Sequence, residues 1–582
     1  MKKIIYIISF TAVILLIYLL YPRSLNPSIY VSPYKNGSKL IYNGREMYLK
    51  YKFNYDTYSV LNIVYCPLKL YKAEKLSPNK ERVMEKGEGS YDMELSGKTL
   101  LSGKSFFYKM TADNKLIKSS SKDLLAGYDN VSSYKAKNGK LSLFIIFEKP
   151  VSKMRVCLSD SSFTTIYQDN INVSFPEGGE IYSLRDKIKL KIDKGEVLKI
   201  NKEGSKINLF IKSRVVSFNY RIYLKGSQIK VLSLKRGYPS FNPVYSGVIE
   251  INKKDKGLLM INEVDMEDYL KKVVPSEMPG NSSLEALKCQ AVAARTYALS
   301  DALSSRFGYL GYFVDDSTLS QVYNNYRETE NTNIAVEATK GEVMTYNNKP
   351  IDAKYYSTSS GIGTNYRDIW FYKDFTSESK PYLKENIYCD FSLPKNEQEW
   401  LNFYKSKNIS GCDDKSSYYR WEVSLDKASL INSLNITIPK LIKSKPDYII
   451  GKFKTIKDIR DIKITKRGEG GNAKEITLYL NYGSIILRSD GVIRYAFKLG
   501  KDYTGSEVFL NKNNSSKSKI SSLPSTFFSV EKNEDSFIFY GGGFGHGVGM
   551  SQYGAMRLSD EGYLYKDILR FYYKDIEISK TY

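Results

Sequence analysis

Short apolar runs separated by polar turns dominate the first third of this chain. Lys39–Tyr42, Arg45–Tyr55, Ser59–Tyr65, Phe106–Met110 and the almost wholly apolar Leu141–Phe147 read as strands. Strands this frequent predict an all-β, sandwich-like module over residues 22–182, in which no chemical motif occurs. Strands continue to residue 251, among them Ile207–Ile211 and Tyr220–Leu224. The pattern then turns helical. A short helix over Glu267–Val273 is predicted to stop before Pro275, because a residue preceding proline avoids the α region. That places Glu277 in a loop bracketed by Pro275 and Pro279. Ser282 and Glu285 stand at capping-box spacing and open a helix over Ser283–Phe307, with an apolar stripe of Leu287, Ala291, Ala294, Ala298 and Ala302.

Beyond that helix, Ala353–Gly361 reads as a strand running into a hydroxyl-rich turn. Cys389-Asp390 and Tyr419–Ser424 follow, then a helix-like Leu425–Leu434 and strands at Asp461–Lys466, Lys474–Tyr482 and Ser484–Arg488. Near the end a strand, Ser536–Tyr540, feeds the glycine-rich stretch Gly541–Ala555, which carries the chain's only histidine, His546, and the pair Ser551-Gln552. Glycine at this density lets the backbone take positive φ and lets a ligand approach closely. A helical pattern leaves from Ala555, and a last helix covers Tyr565–Tyr573.

Several of these positions carry candidate chemistry. Arg295 falls inside the apolar arc of its helix and Gln290 at the arc's edge; a guanidinium facing a core needs a partner, either a buried carboxylate or a ligand group. Glu277, held between prolines beside Met278, has the setting in which a carboxyl group rises toward the pKa of a general acid. Glu263, Asp265, Glu267 and Asp268 read as a solvated helix face and not as a metal cluster. The glycine stretch lacks the third glycine and acidic partner of a dinucleotide fingerprint and the Lys-Ser/Thr of a phosphate loop. Ser551 with His546 as a nucleophile–base pair is disfavoured, since no Gly-x-Ser-x-Gly elbow is present.

The N-terminus changes the picture of compartment. Lys2-Lys3 precede an apolar run, Ile4–Tyr21, broken only by Ser9 and Thr11. Eighteen helical residues reach about 27 Å, close to the hydrocarbon thickness of a bilayer. With no small-residue cleavage signal after it, the run is expected to be an uncleaved anchor over residues 1–21, giving a single-pass protein of the cell membrane with its bulk outside. Lysine and arginine number 87 against 63 acidic residues, a net charge of +24 that is spread along the chain. Such charge suits a polyanionic surrounding, and an external location disfavours nucleic acid. Five scattered cysteines form no C-x-x-C, and a single histidine makes a His/Cys zinc site improbable.

Taken together, NEVDMEDYLKKVVPSEMP, EALKCQAVAARTYAL, YYSTSSG, YYRWEVSL, STFFSV and GGGFGHGVGMSQYGAMRLSDEGYLYKDILRFYY resemble the stage II sporulation protein D (SpoIID)/LytB family, in the family's order, over residues 183–582. The resemblance implies an α+β, β-rich catalytic domain with a few helices, following the anchor and the all-β module. It implies a peptidoglycan lytic transglycosylase acting on peptide-stripped glycan strands, with Glu277 as catalytic acid/base. Gln290, Arg295, Tyr356, Ser357, His546, Ser551 and Gln552 would line the substrate site. A peptidoglycan amidase is the implied partner. The alternative is a non-catalytic, LytB-like amidase enhancer that binds cell wall. Some members carry His and Cys in the segment matching Tyr356–Ser360 and bind zinc there; this chain has tyrosine, serine and threonine, so no metal and no cofactor is expected.

Overall fold

The computed structural model describes residues 2–326, 328–388 and 391–582, with side chains from Phe10 onward; Cys389 and Asp390 lie outside the described residues. Among them it is β-rich with ten α-helices, an α+β chain. The chain forms two compact units, residues 1–269 with 301–325, and residues 270–300 with 326–582. The division drawn at 182/183 from the sequence falls inside the first unit, within the strand Gly179–Ser183.

Residues Lys2–Leu20 form helix α1. Among the described residues no helix is long and apolar enough to cross a membrane, so the structure lends the expected anchor no support. The rest of the first unit is built on sheets. Arg45–Leu49, Gly37–Tyr42, Arg23–Tyr34, Val60–Tyr65 and Leu70–Lys75 make a five-stranded antiparallel sheet. Its inward positions alternate, as in Val60–Tyr65, where Leu61 and Ile63 are fully buried. A larger sheet runs Ile188–Ile192, Gly179–Ser183, Ile222–Lys225, Val248–Lys254, Gly257–Asp265, Lys153–Cys157 and Val314–Asp315. Lys153–Cys157 pairs antiparallel with Gly257–Asp265, a strand about a hundred residues later, which no local pattern announces.

Side chains on the strands of this sheet join an ionic network. Arg155 and Glu250 are both buried, and Arg155 Nη2 lies 2.7 Å from Glu250 Oε2. Arg155 Nη1 reaches Glu263 at 2.6 Å, Arg82 Nη1 reaches the same carboxylate at 2.7 Å, and Arg221 bridges Glu250 and Asp92. Glu263, read from the sequence as part of a solvated face, is thus an internal ion-pair partner. It lies on the strand Gly257–Asp265 and not on a helix, and that strand sets which way its side chain faces.

The second unit has a five-stranded sheet ordered Lys517–Lys519, Phe509–Lys512, Trp421–Asp426, Ser536–Gly541, Phe528–Lys532, and a four-stranded sheet of Ile449–Ile450, Gly483–Arg488, Ala473–Leu480 and Ile459–Arg467. They share one core with the helix Lys427–Ser444. That helix starts later than its apolar pattern suggested: Asp426 ends the preceding strand and caps the helix, its Oδ1 accepting from Ser429 N at 2.8 Å.

Helix α2 (Met266–Glu277) departs from expectation, because it runs through Pro275 and ends on Glu277. Proline removes one N–H from the ladder. Ser276 Oγ donates to Lys272 O at 2.6 Å and Met278 N to Val274 O at 2.9 Å, which keeps the last turn closed. Helix α3 (Leu284–Ser304) also differs in kind. From Ala286 to Leu299 all of its side chains except Lys288 are buried, so it is an internal helix and not a one-sided amphipathic one. The capping box does not form either: Ser282 Oγ lies 3.1 Å from Met556 Sδ, and Glu285 accepts from Tyr565 N at 2.8 Å.

Candidate functional site

The glycine stretch is seated in the second unit against the segment Tyr355–Thr358. Tyr355–Tyr356 pairs in parallel with Met550–Ser551, and Thr358 exchanges backbone hydrogen bonds with Phe544. Two glycines make this approach possible. Gly549 has φ of 77°, and a Cβ there would lie 2.0 Å from the Lys354 carbonyl oxygen; a Cβ on Gly545 (φ 116°) would lie 2.7 Å from the Tyr356 Cβ. No other residue type fits either place without moving backbone. The stretch then turns into the helix Gln552–Asp560, capped by Ser551, whose Oγ accepts from Gly554 N at 3.4 Å.

Three stretches far apart in sequence meet here. Gln552 Nε2 donates to the backbone carbonyl of Glu277 at 3.0 Å and to Gln290 Oε1 at 3.2 Å. The end of α2, the buried face of α3 and the glycine loop are thus joined through one amide. Glu277 keeps accessible surface, as do Ser357 and His546. Gln290, Arg295 and Ser551 have none, and Tyr356 and Gln552 are nearly enclosed. A fully buried group cannot touch a ligand at a surface, so those three support the site from behind.

Arg295 shows the difference plainly. Its position in the apolar arc is as read, and it is completely buried. Its guanidinium donates to the carbonyls of Val336 (3.3 Å) and Glu342 (3.2 Å). Val336 belongs to the last turn of the helix Glu330–Ala338, where carbonyls lack helical partners and a cation is favoured. It therefore braces that helix end and does not line the site.

His546 sits between Tyr356 (ring centroids 5.5 Å apart) and Trp370 (5.0 Å, edge-on). Its Nδ1 accepts from Val548 N at 3.1 Å, which fixes the other nitrogen as the protonated one. Burial, then the nearby Lys354 and Arg494 cations, push its pKa down to about 3, so the ring is neutral at physiological pH. Ser551 does not pair with it. The Ser551 hydroxyl donates to Asp413, which leaves no nucleophile–base couple in the loop.

Asp413 escaped the sequence reading. It is fully buried and accepts from Ser551 Oγ, from Ser359 N at 2.9 Å and from Ser359 Oγ at 2.9 Å. It thereby ties the hydroxyl-rich turn after Tyr356 to the start of the loop's helix. Nothing local in Gly411-Cys-Asp-Asp414 marks it, since its partners lie some fifty and some hundred and forty residues away. Burial pushes its carboxyl up to about 6 in spite of these donors.

A raised carboxyl makes the folded state the better proton binder between the ordinary and the raised value. On this account stability is highest below about pH 4 and falls as pH rises to 6, by about 3 kcal/mol. His546 acts oppositely: a depressed imidazole makes stability fall as pH drops from about 6.5 toward 3. Asp413→Asn is expected to remove the first slope, leaving stability that rises with pH across pH 4–6, and His546→Gln to remove the second. Urea unfolding at four pH values between 4 and 7 checks both; parallel curves for the wild type and Asp413→Asn would contradict the assignment.

Comparison with known proteins adds to this geometry. Residues 254–346 match the family described as stage II sporulation protein, and residues 497–549 match a domain of unknown function. The chain is 31% identical over 329 residues to an amidase enhancer of Bacillus subtilis (strain 168), a match covering 52% of this chain and 39% of that protein. It is 28% identical over 335 residues to stage II sporulation protein D of the same organism, covering 55% of this chain and 76% of the relative. The corresponding protein of Bacillus amyloliquefaciens is 27% identical over 337 residues, with the same coverage. The match thus spans well under half of the amidase enhancer's length.

Proposed function

We propose that this chain, whose residues 254–346 match the family described as stage II sporulation protein, works on the bacterial cell wall in sporulation or wall remodelling, as a lytic transglycosylase that cleaves peptide-stripped glycan strands. The observation that supports the reading is the hydrogen bonding of Gln552 to the Glu277 main-chain carbonyl and to Gln290, which holds the partly buried residue 277 next to the start of the loop's helix. A lytic transglycosylase needs one carboxyl group to protonate the bridging oxygen. The muramic acid C6 hydroxyl then closes on the anomeric carbon, giving up its proton to the same carboxylate, so no water and no second carboxylate is consumed. Glu277 fills that role. The neutral imidazole of His546 and the hydroxyl of Ser357 are hydrogen-bonding groups that do not compete for the proton.

In this reading α1 anchors the protein in the cell membrane with the remainder outside, and the excess positive charge favours the anionic wall polymers. The second reading, an amidase enhancer with a peptidoglycan amidase as partner, is favoured by the name of the relative at 31% identity. Mass spectrometry of stem-free glycan strands incubated with the protein separates them. New 1,6-anhydro-muramic acid ends support the transglycosylase. Acceleration of an added amidase with no glycan product supports the enhancer. Reducing ends in place of anhydro ends would mean that water attacks, and would overturn the single-carboxylate scheme.

A further inference from the structure

His546 has a second face. Besides Tyr356 it meets Trp370, and both line a cavity of about 650 Å³ in the second unit. Tyr366, Phe371, Tyr372, Tyr448 and Tyr495 line it as well. This is within the size range of clefts that take small-molecule ligands. Residues 366–378, the end of the helix Lys427–Ser444 with the turn after it, and residues 489–495 build it. None of them lies in the segment 254–346 matched to the family.

The wall is braced before any ligand arrives. Tyr366 stacks on Trp370 at 4.9 Å, the Tyr448 hydroxyl donates to the Phe371 carbonyl at 2.7 Å, and Ser377 Oγ donates to the Trp370 carbonyl at 2.5 Å. Aromatic faces held in place cost little entropy to use. The polar groups among them are of both kinds. Ser377, Ser444 and Ser489 bring hydroxyls, Glu378 an acceptor, and Lys445 and Arg494 donors. A ligand with flat apolar faces and a rim of hydroxyl and amide groups matches such a lining. A lipid chain would cover these polar groups with hydrocarbon and make no use of them, and a polyanion would meet Glu378 and Asp490.

The geometry points to a saccharide subsite: the cavity holds N-acetylated sugar units of the glycan strand, with His546 shared between it and the loop that carries Gln552. The choice of a wall glycan as ligand rests on the function proposed above; the subsite itself rests on the lining. The test uses the full chain carrying Glu277→Gln, which binds without turning over, titrated calorimetrically with a stem-free GlcNAc–MurNAc tetrasaccharide. In that background Tyr372→Ala and Trp370→Ala are expected to weaken binding by about 5- to 10-fold each. Tyr372 is 58% exposed, so its removal leaves the core intact, whereas Tyr238→Ala, on an exposed tyrosine of the first unit, should change nothing. Of the three tryptophans, Trp400 and Trp421 are buried elsewhere, so a saturable change in tryptophan emission reports Trp370. Binding within twofold of the parent for both cavity variants, or no binding by the parent, overturns the subsite. If the variants lose binding while the wild type yields no anhydro ends, the subsite stands and the proposed reaction fails. If the wild type cleaves and the cavity variants bind like the parent, the reaction stands and the subsite fails.

Discussion

Glu277→Gln is expected to lower the yield of 1,6-anhydro ends from stem-free glycan by about 10²- to 10⁴-fold, the range over which a positioned general acid acts. The substitution keeps size and hydrogen-bonding shape but cannot give up and retake a proton. It also leaves the bond from Gln552 intact, since that bond is made to the main-chain carbonyl of residue 277. The loop should therefore stay seated, and glycan affinity should remain near the wild-type value. An effect confined to the chemical step is the signature of the role assigned to Glu277. A variant that cleaves at more than a tenth of the wild-type rate would remove this residue from the reaction. Gln552→Ala works differently: it frees the end of α2 from the loop, so binding and turnover should both decline.

Glu250→Gln is expected to destabilise the first unit by about 3–5 kcal/mol, the cost of breaking a buried ion pair from one side. Burial pushes the Glu250 carboxyl up, but Arg155 and Arg221 more than reverse this and hold it at about 2. A carboxyl depressed in this way contributes stability that is present above its ordinary value near 4.5 and is lost as pH falls toward 2. The deficit of the variant should accordingly shrink in acid. Denaturant unfolding at pH 7 and pH 3 measures it, with Glu507→Gln as the reference, because the Lys519–Glu507 pair is exposed and worth little. A loss below 1 kcal/mol at pH 7 would mean that the network tolerates one missing charge and relaxes around it.

What the sequence determined by itself is local. The strand before the glycine stretch, the helix after it, the core-facing position of Arg295, the later helix Tyr565–Tyr572 and the β-rich character all follow from periodicity and from turn and cap residues within a window of about ten positions. The family resemblance was legible for the same reason, in short contiguous blocks. Where reading stopped, most deciding contacts were distant, as in the pairing of Lys153–Cys157 with Gly257–Asp265, but one was local. Pro275 was expected to end α2, yet a hydroxyl one residue on and an amide three residues on keep the turn closed.

Only the tertiary structure decided which side chains face a ligand and which hold the others. The family resemblance implied Gln290, Arg295 and Ser551 as lining residues, and all three are fully buried, which makes them supports. Asp413, Trp370 and Glu250 carried no local mark, because each takes its role from partners on other strands, loops or helices. A side chain's chemistry is written at its own position, but its dielectric surroundings and its partners come from residues that the chain brings near only once it has folded.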